Sequence, residues 1–241
     1  MIILLKKELR SFFSSATGYI VIGVFLLITS LFLWIFPGEY NILESGYAQV
    51  DGLFTLAPFL YLFLVPALTM RMFAEEKRAG TIELLYTRPI KELHIVLGKY
   101  FSGWLLVLFS LLPTIIYFFS VYYLAEPFGN IDTGAFWGSF IGLLFLASIY
   151  VAIGLFASAI TDNQIVSFIV AVVLSFFFFY GFELFSGLIT SGKWADIVSS
   201  LGINSHYESM SRGVIDSRDV VYFLSATAIF IFSTKLVIKR A

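Results

Sequence analysis

The chain has 241 residues, of which 59% are hydrophobic and 13% are charged, and its mean hydropathy is +0.93. This composition excludes a water-soluble domain and predicts a polytopic membrane protein. The formal net charge of −1 carries little information by itself, and the absence of cysteine excludes disulfides and thiolate metal sites.

The apolar runs predict an all-α polytopic membrane protein with six spans of about 20 residues each. We expect a single transmembrane domain over residues 1–241, because the six spans leave no room for a nucleotide-binding domain. The N-terminal segment lacks a small-residue cleavage site, so it predicts a retained first span and not a cleavable signal. The spans are expected at about 18–36, 53–70, 100–124, 135–160, 165–188 and 220–238.

Residues 1–17 precede the first span and alternate basic with apolar positions. This pattern predicts a helix that lies in the membrane interface, with its apolar face toward the lipid and its basic residues toward the headgroups. An ordinary positively charged flank of span 1 is the alternative. The apolar positions are Leu5, Leu9, Phe12 and Phe13, and the basic ones are Lys6, Lys7 and Arg10.

A charged stretch, residues 70–89, separates the second and third spans. Five charges fall within the nine residues from Glu75 to Glu83, and a bilayer core does not hold that density of charge, so we expect this stretch to lie in water. Gly80 and Thr81 predict a helix start, with Thr81 as the N-cap, and Pro89 closes the segment.

The helix that this stretch predicts is about two turns long and places Ile82 and Leu85 on one side. It is too short to be stable alone in water. The headgroup layer or a second protein must therefore hold it.

The same stretch resembles the cytoplasmic loop of ABC-2 type transporter permeases, in which a coupling helix docks into a separate ATPase subunit. The matching order begins at Glu75-Glu76-Lys77-Arg78 and ends at Gly98-Lys99. The overall sequence is most similar to the gliding-motility-associated permease subunit of that family. The resemblance implies an ATPase-coupling role for Glu75, Glu76, Lys77, Arg78, Gly80, Thr81, Ile82, Glu83, Leu84, Leu85, Thr87 and Pro89.

The resemblance also implies the architecture and the partners. The expected fold is that of type V exporters: six spans, an N-terminal interfacial helix, a coupling helix between spans 2 and 3, and short external helices between spans 5 and 6. The expected partners are an ABC ATPase, which holds the ATP and magnesium, and a second permease subunit that is a different chain. The chain itself is then no enzyme, and the complex serves gliding motility or secretion in a bacterial inner membrane.

Three other functions stay open at this point. A generic ABC-2 exporter of a lipid, drug or saccharide has the same features. A membrane scaffold that recruits an ATPase would use the same loop without transporting anything. An ion-coupled secondary transporter is disfavoured, because it needs several charges within the membrane.

Two further features of the spans suggest sites. Gly134, Gly138 and Gly142 recur every four residues and predict a helix-packing seam, although this pattern is also frequent by chance. Glu183 is the one acid inside a predicted span and suggests a proton or cation site. However, it lies roughly 27 Å along the helix from Ile165, near the outer interface, so we favour a carboxylate in the outer vestibule.

The basic residues predict the orientation. Twelve of the 15 Lys and Arg residues fall on the side that carries both termini and the loop between spans 2 and 3, and three fall on the other side. By the positive-inside rule, both termini and that loop are cytoplasmic.

Overall fold

The structure, a computed structural model, describes residues 1–83, 91–189 and 192–240, and within these ranges it contains helices and no strand. Six of the described helices are long and apolar enough to cross a membrane. The predicted all-α, six-span architecture is therefore confirmed. Spans 1 to 6 are Ala16–Ile35, Asp51–Arg78, Glu92–Leu124, Thr133–Ile160, Gln164–Ser186 and Ser217–Lys239.

Spans 2 and 3 are longer than predicted. Span 2 consists of the helix Asp51–Thr69 and, beyond Met70, the helix Arg71–Arg78, which we call the span 2 extension. Span 3 begins as the helix Glu92–Leu111 and ends as the helix Ile115–Leu124. Span 2 was expected to end at about Met70 and span 3 to begin at about Tyr100, so these two predicted boundaries are wrong, because residues 71–78 and 92–99 continue the spans as helix.

Three of the remaining spans contain local changes of helix type or capped ends. Span 1 is α-helical over Ala16–Ser30 and ends in a π-helical turn. Span 5 runs as α-helix over Gln164–Phe176, passes through a π-helical turn and finishes as the short helix Phe182–Ser186. Span 4 begins where the Asp132 carboxylate accepts a hydrogen bond from the Ala135 amide at 2.8 Å, as an N-cap does.

Span 4 is the central helix of the bundle. Its apolar window is 78% buried, whereas no other span exceeds 56%. Span 2 approaches it closely, since a Cβ atom added to Gly154 would lie 2.9 Å from Thr69 Cβ. Glycine is needed at this crossing because any side chain would separate the two helices.

The N-terminal helix, Ile2–Phe13, packs against the protein and not only against lipid. Phe12 is 2% exposed, and Leu4, Leu9 and Phe13 pack against the core. A Cβ at Gly98 would lie 3.2 Å from Leu4 Cδ2, so this glycine lets the N-terminal helix lie directly on span 3. The helix is confirmed, and three of its predicted apolar residues, Leu9, Phe12 and Phe13, contact the protein core. Its place at the membrane interface stays a prediction.

Two short helices, Gly192–Ser199 and Ile203–Ser211, lie between spans 5 and 6, as the resemblance implied. Both chain ends and the span 2 extension lie on one side of the bundle, which we call the basic side. The two short helices lie on the opposite side, which we call the acidic side. Ten of the 16 acidic residues belong to the acidic side.

The glycine pattern of span 4 meets one of these short helices. A Cβ at Gly138 would lie 2.6 Å from the carbonyl carbon of Gly213, and one at Gly142 would lie 2.7 Å from Met210 Cβ. Gly134 has no such neighbour, and its nearest atom is Asp132 Oδ1 at 3.4 Å. Two of the three glycines therefore seat the segment 203–213 on span 4.

Candidate functional site

The span 2 extension carries the first half of the charged stretch, and its N-terminal end is capped by another span. The hydroxyl of Ser158, near the end of span 4, accepts hydrogen bonds from the amides of Phe73 at 2.9 Å and Ala74 at 3.1 Å. It also donates one to the Met70 carbonyl at 2.8 Å. The first turn of a helix has amides without helical partners, and here a buried serine supplies the acceptor. The extension is thereby fixed to span 4.

The C-terminal end of the extension is closed by a glycine. Gly80 has φ +67°, its amide donates to the Lys77 carbonyl at 3.1 Å, and the Thr81 amide donates to the Glu76 carbonyl at 3.0 Å. This pair of bonds is a Schellman motif, which ends a helix. Gly80 therefore closes the extension, and the predicted helix start at Gly80 and Thr81 follows it directly. The next two residues, Ile82 and Glu83, are again helical.

A buried lysine lies beside the extension. Lys99 of span 3 is 1% exposed, and its ammonium donates hydrogen bonds to Glu8 Oε1 at 3.0 Å and to the Met72 carbonyl at 2.6 Å. Glu76 Oε2 lies 2.9 Å from the same nitrogen, but at an angle outside the hydrogen-bond range, so this contact is an ion pair. One ammonium thus joins the N-terminal helix, the extension and span 3.

Two further cations tie the extension to its neighbours. The Arg71 guanidinium donates to Ser15 Oγ at 3.1 Å and to Thr17 Oγ1 at 3.3 Å, and it lies 4.1 Å from the ring centre of Phe12. On the other flank, the Lys77 ammonium donates to the Ala159 carbonyl at the end of span 4. These contacts explain why Arg71 and Lys77 can lie within a packed helix, whereas Glu75 and Arg78 of the same helix are exposed.

Lys7, Glu8, Glu76 and Lys99 form a charge cluster, in which Lys7 is the most exposed member. Lys7 Nζ lies 3.3 Å from Glu76 Oε1, and the Lys7 side chain is 59% exposed. Lys7, Glu8, Glu76 and Lys99 sum to zero formal charge, which limits the cost of placing them together. They line a cleft of about 330 Å³ between the N-terminal helix and the extension.

The predicted coupling residues fall into three groups. Glu76, Lys77 and Ile82 are partly buried, and Ile82 packs against the protein's own core instead of presenting a free apolar face. The exposed residues are Glu75, Arg78, Gly80, Thr81 and Glu83. The positions Leu84, Leu85, Thr87 and Pro89 lie outside the described residues.

On the acidic side, Glu183 is exposed, and its Oε2 accepts a hydrogen bond from Asn204 Nδ2 at 2.8 Å. It links the end of span 5 to the helix Ile203–Ser211. Nearby, Tyr207 donates to the Phe54 carbonyl of span 2 at 2.7 Å. Burial raises the pKa of the Tyr207 phenol well above its ordinary value, so it stays a donor.

The sequence did not identify three of the residues that hold the extension in place. The family resemblance included Lys99 only as the end of the matching stretch, and no sequence pattern assigned a role to Glu8 or Ser158. One signal was available for Glu8, because it is the one acid among the first 38 residues. A lone acid in a basic, apolar segment indicates a specific partner. Lys99 and Ser158 gave no comparable signal, since their partners are distant in sequence.

Comparison with known proteins and protein families gives two results. A search of curated proteins finds no match. The family model described as ABC-2 family transporter protein matches residues 2–239, and these include every span and the extension. This family supplies membrane transport components that are not themselves catalytic. With nearly the whole chain matched, the protein belongs to the ABC-2 transporter family.

Proposed function

We propose that the chain is the permease subunit of an ABC transporter and that a separate ATPase subunit binds it at the end of the span 2 extension. The observation that carries this proposal is the combination of an exposed, charged tip with a firmly attached base. The tip residues Arg78, Thr81 and Glu83 are exposed, whereas the base is bonded to span 3, span 4 and the N-terminal helix. ATP and its magnesium ion belong to the ATPase in this proposal.

The attachment of the base decides what a push on the tip does. The amides of Phe73 and Ala74 are bonded to span 4, and the Met72 carbonyl is bonded to Lys99 of span 3. A displacement of the extension must therefore displace those spans or break several buried hydrogen bonds, each of which is costly to leave unmade. Nucleotide binding at the ATPase then switches the spans between two arrangements as rigid bodies.

The basic side is cytoplasmic in this proposal, because it carries twelve of the 15 Lys and Arg residues. An ATPase that uses cytoplasmic ATP must dock on that side. In this proposal both termini are also cytoplasmic, and the protein lies in a bacterial inner membrane, which rests on the family resemblance alone.

The docking proposal is tested by one matched pair of charge reversals. Arg78 and Lys239 are both exposed on the basic side, so Arg78→Glu and Lys239→Glu make the same chemical change at the tip and away from it. Loss of an interface contact commonly costs about 1–3 kcal/mol, which lowers affinity roughly five- to 150-fold. We expect Arg78→Glu to lose the ATPase on co-purification and Lys239→Glu to retain it. Equal retention by both variants would show that the ATPase does not bind at the tip.

We also propose, on the sequence resemblance alone, that the transporter serves gliding motility or secretion and that the second permease subunit is a different chain. A deletion strain should lose surface spreading, and the purified complex should contain two permease chains. Normal spreading in the deletion strain would favour a generic exporter of a lipid, drug or saccharide. A complex with one kind of permease chain would make the assembly a homodimer.

A further inference from the structure

We propose that Lys99 is the positioning residue that makes the N-terminal helix, the span 2 extension and span 3 move as one rigid unit. This inference rests on the proposed function for the origin of the movement. It adds the path of that movement, because a push on the extension then reaches the N-terminal helix as well as the spans. Lys99 touches no cargo or nucleotide, so it acts through the helices that it joins.

The Lys99 ammonium is buried among partners from other segments of the chain. It is 1% exposed, and its partners Glu8, Glu76 and the Met72 carbonyl come from two other chain segments. A buried charge that loses a partner has no water to replace it, so separation of these segments is strongly unfavourable. The ammonium therefore holds the three segments at a fixed spacing.

The helices around Lys99 also pack closely. Gly98, the neighbour of Lys99, leaves space for Leu4, so the N-terminal helix lies on span 3 without an intervening side chain. At the start of the extension, Arg71 bonds to Ser15 and Thr17 at the beginning of span 1 and lies over the ring of Phe12 near the end of the N-terminal helix. The N-terminal helix is thus held at both ends, and Lys99 lies between these two attachments.

The contacts of the extension with span 4 differ in kind from its contacts with Lys99. Ser158 holds the extension through neutral hydrogen bonds, and Lys77 holds it through a single backbone carbonyl. Neutral hydrogen bonds are weaker than those of paired charges. When the ATPase pushes on the extension, we therefore expect its bonds to Ser158 to break before those of Lys99.

The first experiment uses the purified chain in lipid nanodiscs. The chain has no cysteine, so spin labels can be placed only at Ile3→Cys and Ala79→Cys, which are exposed on the N-terminal helix and beyond the extension. We expect a narrow distance distribution in the parent and at least a doubled width in Lys99→Met. Glu8→Gln, a milder change that keeps the size of the side chain, should give an intermediate width. Lys91→Met, at an exposed lysine before the same span, should leave the parent distribution.

A Lys99→Met distribution as narrow as the parent's would overturn the inference. If the Lys99→Met protein does not purify as a monodisperse sample, Glu8→Gln becomes the deciding variant. A parent-like width in Glu8→Gln would then overturn it equally.

The second experiment separates this inference from the proposed function. In the complex with its ATPase, a label pair at Ala79 and Trp137, which is exposed at the other end of span 4, reports motion of the extension against span 4. In the parent, we expect ATP to change the Ala79–Trp137 distance and to leave the Ile3–Ala79 distance unchanged. In the Lys99→Met variant, we expect ATP to change the Ile3–Ala79 distance as well.

The possible results point to different errors. If ATP changes the Ile3–Ala79 distance in the parent as much as the Ala79–Trp137 distance, the three segments are not one unit and the inference is overturned. If ATP changes neither distance, the expected break at Ser158 is wrong and span 4 does not move against the extension; the nanodisc comparison then decides the role of Lys99, and the co-purification test decides the proposed function.

Discussion

Replacing Gly138 with alanine tests how the short helix Ile203–Ser211 is seated on span 4. A Cβ at this position would lie 2.6 Å from the carbonyl carbon and 2.7 Å from the Cα of Gly213. Carbon atoms pack at about 3.5–4.0 Å, so the two backbones must separate by about 1 Å. Gly134→Ala is the matched control, because it lies one turn earlier and its new Cβ meets no atom closer than 3.4 Å.

The two substitutions should change stability in opposite directions. Forcing a methyl group into a packed contact costs about 1–3 kcal/mol, whereas replacing a helical glycine with alanine gains about 0.5–1 kcal/mol. The new Cβ meets backbone atoms, so the upper end of the first range applies, and the net cost for Gly138→Ala is about 2–2.5 kcal/mol, which raises the open population of the seated helix roughly 30- to 70-fold. Gly134→Ala should leave that population unchanged or lower it.

Hydrogen–deuterium exchange of the amides in Ile203–Ser211 measures this population directly. We expect faster exchange in Gly138→Ala and parent-like exchange in Gly134→Ala. Equal rates in the parent and Gly138→Ala would refute the seating of this helix on Gly138. A similar acceleration in both variants would mean that span 4 itself is perturbed and that the contact with Gly213 is not the cause.

Three further predictions follow from the same structure. Ala79→Cys should react with an impermeant thiol reagent only after the inner side of the membrane is opened, and labelling in intact cells would reverse the orientation. Glu183→Gln should keep ATPase activity of the complex within a few-fold of the parent, because the exposed glutamine can still accept from Asn204; a collapse would indicate an ion site. Ser158→Ala should lower the free energy of unfolding by about 1–3 kcal/mol, because the buried amide of Phe73 loses its hydrogen-bond acceptor. Ser167→Ala should be nearly neutral in thermal unfolding, because the buried Ser167 hydroxyl has no hydrogen-bond partner.

The six spans could be predicted from the sequence because each is an apolar run long enough to cross a bilayer. The ends of spans 2 and 3 could not, because charged residues were taken to end a span, whereas here the helices continue through them. The charges of Arg71 and Lys77 are satisfied by partners that lie 54 to 82 residues away in the chain. No pattern within the stretch itself reveals such partners.

The candidate site shows the same limit. The exposed position of Arg78 and Glu83 agrees with a docking surface, but Ile82 was expected on that surface and packs on the protein's own core instead. Helical spacing shows which residues share a face and does not show which neighbour covers that face. For the same reason, the glycine pattern of span 4 predicted a close contact without showing that the partner is the segment ending at Gly213.

The central claim is that the tip of the span 2 extension binds the ATPase, and site-specific photo-crosslinking tests it most directly. A photoreactive residue at Ala79, which is exposed at the tip, is compared with the same residue at Lys239, which is exposed at the basic end of span 6. We predict that Ala79 gives an adduct with a protein in which mass spectrometry finds the phosphate-binding Gly-x-x-x-x-Gly-Lys-Ser/Thr loop, and that Lys239 does not. If Ala79 gives no such adduct in a complex that retains its ATPase, or if Lys239 gives an equal one, the ATPase does not dock at this tip.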